Sequence, residues 1–185
     1  MKTIVVLIWL KVIVMILAVL VVLYLLMLMP RLTNRRERKK FLNVYYAHRG
    51  LHDNETDAPE NSMAAFRRAV EAGYGIELDV QVTKDKIPVV FHDFTLQRVC
   101  GQEGKICDYT YEELQKFRLC KSSETIPLFE DVLKLVVGKV PLIVELKVEF
   151  TDLSVCEKAD ALLRKYKGLY CMESFNPLAV FWYRR

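Results

Sequence analysis

Tyr74-Gly75-Ile76-Glu77-Leu78-Asp79-Val80-Gln81-Val82 is an apolar strand interrupted by a polar side chain at every second position. Side chains alternate across a strand, so Glu77 and Asp79 share one face while Ile76, Leu78 and Val80 share the other. Two carboxylates desolvated side by side need compensation, and a divalent cation with its preference for oxygen ligands supplies it. The pattern returns in Leu142-Ile143-Val144-Glu145-Leu146-Lys147, which sends an acid and a base to one side. His48-Arg49-Gly50 and His92-Asp93 each close an apolar run of their own. Acids, imidazoles, an arginine and a lysine gathered at strand ends point to metal-assisted hydrolysis of a phosphate ester.

Working outward, strand-like runs lie at 44–48, 75–82, 87–92, 141–148 and 169–175, mostly separated by helical patterns, an alternation that predicts a parallel sheet in an α/β fold. Asn61 or Ser62 is placed to cap a helix carrying Met63, Phe66 and Val70 on one face, with Gly73 to stop it. Thr110 and Glu113 form a capping box ahead of Leu114 and Phe117, and Pro127 is placed as the first residue of a helix running to Val137. A further helix is expected from about Leu153, ended by Gly168, and the segment from Thr95 to Ser123 reads as the loosest part of the chain. Tyr45 and Tyr46 read as barrel-wall aromatics, and His52 as a loop residue.

From Ile4 to Met29 the chain is almost unbroken Val, Ile, Leu and Met, with Lys11 near one end. At about 1.5 Å per residue such a helix spans a hydrocarbon core of roughly 30 Å, so residues 1–30 are expected to form a single transmembrane anchor rather than a cleaved leader. Residues 31–40 then hold six basic side chains and one acid, against Lys2 and the terminal amine on the other flank, which predicts a basic linker over 31–42 and a cytoplasmic domain over 43–185. The formal charge of +4 conceals a division, since residues 1–40 contain eight Lys or Arg and one acid while the remainder holds nineteen bases and twenty-two acids. A mildly acidic domain gives no reason to expect a nucleic-acid partner. Five cysteines without CxxC spacing argue against a disulfide framework or structural zinc and fit a reducing compartment.

The ordered set His48-Arg49-Gly50, Pro59-Glu60-Asn61-Ser62, Glu77-x-Asp79, His92-Asp93, Glu145-x-Lys147 and Glu173-Ser174-Phe175 resembles the glycerophosphodiester phosphodiesterase family, in its membrane-anchored bacterial type. The resemblance implies a TIM-type (β/α)8 barrel, a divalent cation (Ca2+ or Mg2+), and hydrolysis of glycerophosphodiesters to glycerol 3-phosphate and an alcohol; a domain held near the lipid surface by its anchor and basic linker would also meet lysophospholipids. By similarity, Glu77, Asp79 and Glu145 are the metal ligands, Arg49 and Lys147 bind the substrate phosphate, and His48 and His92 are the catalytic base and acid, roles that could be exchanged. Glu60 is carried over as a further acid that lies close to the metal or orients Arg49. Glu173 is either a buried acid paired with Lys147 or a group close to substrate.

Five strand-and-helix units are legible before Arg185, so the barrel is expected to be incomplete here. Two readings follow from that expectation. One is an anchored phosphodiesterase of which this chain is the first part; the other is an anchored, non-catalytic remnant of the same family.

Overall fold

The computed structural model describes residues 2–29 and 35–184. Two helices, α1 (Lys2–Leu28) and α2 (Arg35–Lys39), precede the sheet. The Ile4–Leu28 stretch of α1 has a mean hydropathy of 3.2 and no side chain buried within the protein, so this helix is apolar all round and meets the length of a membrane span. Of the basic run, residues 31–34 lie outside the described residues, and residues 35–39 make α2.

The domain that follows contains β1 (Tyr46–His48), α3 (Met63–Glu71), β2 (Gly75–Val82), β3 (Pro88–Val90), α4 (Gln97–Cys100), a short 3-10 turn at Ile106–Asp108, α5 (Tyr111–Leu114), α6 (Phe129–Val136), β4 (Leu142–Leu146), α7 (Ser154–Leu163), β5 (Tyr170–Glu173) and α8 (Pro177–Arg184). Four strands run parallel in the order β1-β2-β4-β5, in a register that sets His48 level with Glu77, Asp79 with Glu145, and Glu145 with Glu173. The third strand departs from the parallel expectation. β3 returns antiparallel along β2, with Val80 opposite Val90 and Val82 opposite Pro88. Only a short bend separates the two strands, and so short a connection forces a hairpin, because a parallel pairing needs a crossover of a dozen residues or more. Five β/α units are therefore four parallel strands and one hairpin strand.

Ile76, Leu78 and Val80 of β2 join Leu142, Val144 and Leu146 of β4 in the main core, against Phe66 and Ala69 of α3, Val132 and Val136 of α6, and Cys156 and Ala159 of α7. That is the face the strand alternation assigned to packing. Ser62 takes the cap of α3, its hydroxyl accepting from Ala65 N, and the Glu124 carboxylate accepts from Ala64 N at the same helix end. The capping box of Thr110 and Glu113 forms as expected. Pro127 does not open its helix: α6 starts at Phe129, with Leu128 as the cap, and the Pro127 carbonyl instead accepts from Val90 N. α7 ends at Leu163, short of Gly168.

The segment expected to be loosest has a core of its own. Val89, Phe91, Leu96, Val99, Ile106, Leu114, Leu119 and Ile126 form a second buried cluster beneath residues 89–126. β3 divides the two cores, sending Val90 into the main one and Val89 and Phe91 into the smaller. Tyr45 is exposed, edge-on to Tyr74, rather than part of a wall. All five cysteines are free thiols.

Candidate active site

β2 carries Glu77, Asp79 and Gln81 on the face away from the main core, and all three are buried. β4 lies beside it in register, so Glu145 arrives opposite Asp79 and Lys147 follows on the same side. One oxygen from each of Glu77, Asp79 and Glu145 lies within 4.8 Å of the others. Lys147 Nζ sits among them, 2.8 Å from Glu145 Oε1 and 3.0 Å from Asp79 Oδ1. Its ammonium thus offsets part of the carboxylate charge. Burial, and then the neighbouring Asp79 charge, push the Glu77 carboxyl up to about 7 despite the hydrogen bond it accepts from Arg49 N. Burial also raises Glu145, against the opposing pull of Lys147.

The end of β1 and the loop after it bring four further groups to the cluster, His48, Arg49, Glu60 and Asn61. Arg49 and Asn61 both adopt left-handed backbone, with φ of 58° and 56°, and their strands of loop are tied by Asn61 N donating to the Arg49 carbonyl at 2.9 Å. Non-glycine residues held in that region mark a backbone over-determined by its surroundings. Gly50 is required between them: its φ is +82°, and a Cβ there would meet Ala65 Cβ at 2.9 Å. Arg49 Nη1 donates to Glu60 Oε1 at 3.1 Å, and its Nε lies 3.7 Å from Asp79 Oδ2. Asn61 Nδ2 donates to Asp79 Oδ2 at 2.9 Å. His48, mostly exposed, has Nε2 3.8 Å from Glu77 Oε2; partial burial and then the Arg49 charge lower its pKa from the ordinary imidazole value.

His92 reaches the same region by the opposite route. It follows the returning strand β3, where Phe91 N donates to the Asp79 carbonyl at 2.9 Å. Gln81 Nε2 secures this turn by donating to the carbonyls of Phe91 and Asp93, each at 2.8 Å. His92 Nδ1 lies 2.6 Å from Asp93 Oδ1. The hydrogen bonds from Arg98 dominate the Asp93 environment and hold its carboxyl down at about 2. Glu60 is also held at about 2: burial favours its neutral form, but hydrogen bonds from Arg98 and Asn54 and the arginine charges prevail.

Three buried side-chain polar atoms among the described residues lack a hydrogen-bond partner: Arg49 Nε, Asn61 Oδ1 and Asp79 Oδ1, the last touching Lys147 as a charge contact only. All three belong to this site. Buried polar atoms are nearly always paired, so unpaired ones collected at one place mark where a ligand is accommodated. The donor set fits a hard divalent cation, being three buried carboxylates with one oxygen of each within 4.8 Å of the others.

Each residue expected at the site can now be placed. Glu77, Asp79, Glu145, Lys147, Arg49 and His48 converge, and His92 stands at the end of the hairpin. Glu60 lies outside the carboxylate triad and accepts from Arg49 Nη1. Glu173 is exposed beside Glu145, and its pKa is raised by partial burial and by the Glu145 charge; Lys147 gives its contacts to Glu145 and Asp79 instead, so the expected buried pair does not form. His52 is an exposed loop residue. Three participants were not foreseen: Asn61 in contact with Asp79, Asp93 against His92, and Arg98. The first two adjoin residues already singled out, whereas nothing in the sequence around Arg98 distinguishes it.

The model of the glycerophosphoryl diester phosphodiesterase family matches residues 48–173. The chain belongs to this family. A glycerophosphodiester phosphodiesterase of Bacillus altitudinis is 41% identical over 111 residues, covering 56% of this chain and 44% of that protein. A lysophospholipase D of Rattus norvegicus is 34% identical over 156 residues, covering 77% of this chain and 48% of the relative. The chain therefore spans less than half the length of these two proteins. Among solved structures, a phosphodiesterase of Oleispira antarctica in complex with the product sn-glycerol-3-phosphate superposes with a TM-score of 0.67 at 28% identity, over 76% of this chain and 61% of that one. The enzyme of Thermotoga maritima gives 0.58 at 32% identity, over 75% and 57%. These neighbours are TIM-type barrels, and the sheet described above is the matching part of one.

Proposed function

We propose that this family member hydrolyses glycerophosphodiesters to glycerol 3-phosphate and an alcohol, with a divalent cation held by Glu77, Asp79 and Glu145. The observation that carries the reading is the meeting of those three acids with three buried polar atoms that lack a hydrogen-bond partner, one of them the Arg49 Nε donor. Family membership and the product bound to the Oleispira antarctica relative support it. When bound, the cation would neutralise charge on the phosphoryl oxygens and orient the attacking hydroxyl.

The remaining chemistry falls to side chains of this chain. Arg49, already fixed by Glu60 through Nη1, offers Nε to a phosphate oxygen, and Lys147 supplies a second positive charge. His48, its pKa lowered, is neutral near pH 7 and competent to take the proton of a glycerol hydroxyl as that oxygen attacks phosphorus. His92 has its Nδ1–H held by Asp93, so that in the imidazolium form its Nε2–H is free to protonate the departing alcohol. Water then opens the cyclic phosphate, and the two imidazoles return to their starting protonation. A cavity of about 290 Å³ beside Gln81 and Lys147, bordered by Phe94, Lys105 and Phe150, is where the alcohol portion fits. That lining has apolar, cationic and acidic members, Glu149 and Asp152 among the last, and the rat relative's name as a lysophospholipase D supports including lysophospholipids among the substrates.

The domain limits proposed are an anchor over 1–30, a linker over 31–42 and the phosphodiesterase domain over 43–185. The charge asymmetry about α1 supports a cytoplasmic domain on a single-pass anchor. Protease added outside intact cells should leave the domain uncut; ready cleavage would reverse the orientation, and a secreted form lacking α1 would make that helix a leader.

The deciding assay follows release of choline from glycerophosphocholine and from lysophosphatidylcholine by the purified chain, with Mg2+ or Ca2+ and again after exhaustive chelation. Cation-dependent release is expected. Turnover that survives chelation would overturn the metal assignment, and a chain that binds glycerol 3-phosphate without any turnover would establish the non-catalytic alternative.

A further inference from the structure

Arg98 occupies a place no strand pattern announces. It sits on α4, a single turn of helix anchored by Val99 in the smaller core and by Cys120 N donating to the Val99 carbonyl at 2.7 Å. From there its guanidinium grips two carboxylates at once. Nε and Nη2 donate to Asp93 Oδ2 and Oδ1 at 2.6 and 2.8 Å, while Nη1 and Nη2 donate to Glu60 Oε2 and Oε1 at 2.9 and 2.6 Å.

Each of those carboxylates holds one of the groups assigned above. Asp93 Oδ1, which Arg98 engages, is the oxygen 2.6 Å from His92 Nδ1. Glu60 Oε1, which Arg98 also engages, accepts from Arg49 Nη1 at 3.1 Å. An unbroken path of charge-assisted hydrogen bonds thus runs from His92 through Asp93, Arg98 and Glu60 to Arg49. The side chain of Arg98 is 47% exposed, and ion pairs so open to water contribute little to stability. Fork geometry on both sides contributes something else, a fixed direction for each carboxylate.

We infer that Arg98 is a positioning residue that fixes the leaving-group acid through Asp93, while Glu60, which itself holds Arg49, anchors it on the other side. The inference rests on the function proposed above. Losing the fork frees Asp93 to rotate, and His92 then loses the contact that presents its Nε2 to the leaving oxygen. A lysine keeps the charge but cannot engage both carboxylates in the same plane.

The test compares the full chain with Arg98→Lys and Arg98→Met on two glycerophosphodiesters, one releasing choline and one releasing 4-nitrophenol. Choline needs a proton as it leaves and nitrophenol does not, so both variants should lose about 10²-fold in kcat on the choline ester and only about 3-fold or less on the nitrophenyl ester. Arg98→Lys, the variant more certain to fold, should fail to rescue. In parallel, long-range 1H–15N NMR of the substrate-free proteins reads the His92 ring. The original chain should keep Nδ1 protonated in both the charged and the neutral ring, and the variants, once neutral, should show a mixture of Nδ1–H and Nε2–H tautomers.

Equal losses on the two esters with an unchanged His92 signal would overturn the inference, as would full rescue by lysine. Should the original chain turn over neither ester, the proposed function falls, and the nitrogen signals alone then decide the role of Arg98.

Discussion

The two buried cores place their chemistry by different means. In the main core, backbone ladders between β1, β2 and β4 fix Glu77, Asp79 and Glu145, and each carboxylate inherits its position from the pleat. In the smaller core, apolar side chains hold an irregular excursion in place, and hydrogen bonds from Arg98 and Gln81 do the final aiming of Asp93 and His92. One half of the site is rigid by ladder and the other by side-chain contact. The difference implies that the acids tolerate little chemical change but stay in place, whereas the His92 side is displaced easily by remote substitutions.

The largest effect tests the ladder half. Glu77→Ala or Asp79→Ala should abolish glycerophosphocholine turnover while circular dichroism and the unfolding transition persist, because the sheet does not need those carboxylates to pair. Retained turnover in either variant would break the comparison at its rigid end. Next in size, His48→Ala and His92→Ala should each lower kcat by about 10²- to 10⁴-fold, the span of a positioned acid or base. His92→Ala should be nearly harmless with a 4-nitrophenyl leaving group and His48→Ala should not, which assigns acid and base.

Leu96→Ala tests the contact half. Leu96 is fully buried in the smaller core, so truncation should cost about 2–5 kcal/mol. Amide hydrogen exchange should accelerate over residues 95–126 while β2 and β4 remain protected. Uniform acceleration through both cores would show that they unfold as one unit, and the distinction drawn here would fail.

The smallest effect is electrostatic. Glu77 sits at about 7, above its ordinary 4.5, so the folded protein holds a proton there that the unfolded chain has already lost. Its contribution to stability is present below pH 4.5 and disappears as pH rises through 7. Glu77→Gln, always neutral, should therefore stabilise the metal-free protein by on the order of 1–3 kcal/mol at pH 8 and by almost nothing at pH 4, read by urea unfolding with chelator present. A divalent cation should remove the advantage at pH 8, since it compensates the carboxylate that the glutamine lacks.

Legibility in the sequence follows the same division. Period-two alternation is a consequence of the pleat, so the faces of 75–82 and 142–147, and with them the acids and Lys147, are readable from residue order alone. The caps at Ser62 and Thr110 are equally local. The direction of β3 is not, because Pro88-Val89-Val90 has the same pattern in either orientation and only the short bend before it decides. Asn61 carries two competing local uses, cap and side-chain donor, and the outcome depends on Asp79 from another strand. Arg98 acts across 38 positions to Glu60, and the core beneath 89–126 assembles from short apolar groups without a period. Such contacts are set by tertiary packing, which leaves no repeat to read.

The antiparallel return of β3 also governs which lengths the chain can adopt over evolutionary time. Phe91 N meets the Asp79 carbonyl, and adjacent residues of β3 enter different cores. Inserting one residue within β3, rather than in the bend at residues 83–87, would exchange Val90 with its neighbours, turning each to the wrong core, and inserting two would carry His92 roughly 7 Å along the sheet. Within the paired strands the register between this acid and this imidazole is therefore fixed. The exposed bend at residues 101–104 carries no such constraint. Lineages free to lengthen that bend into a lid or a docking arm could do so without disturbing the distance on which the two halves of the site agree.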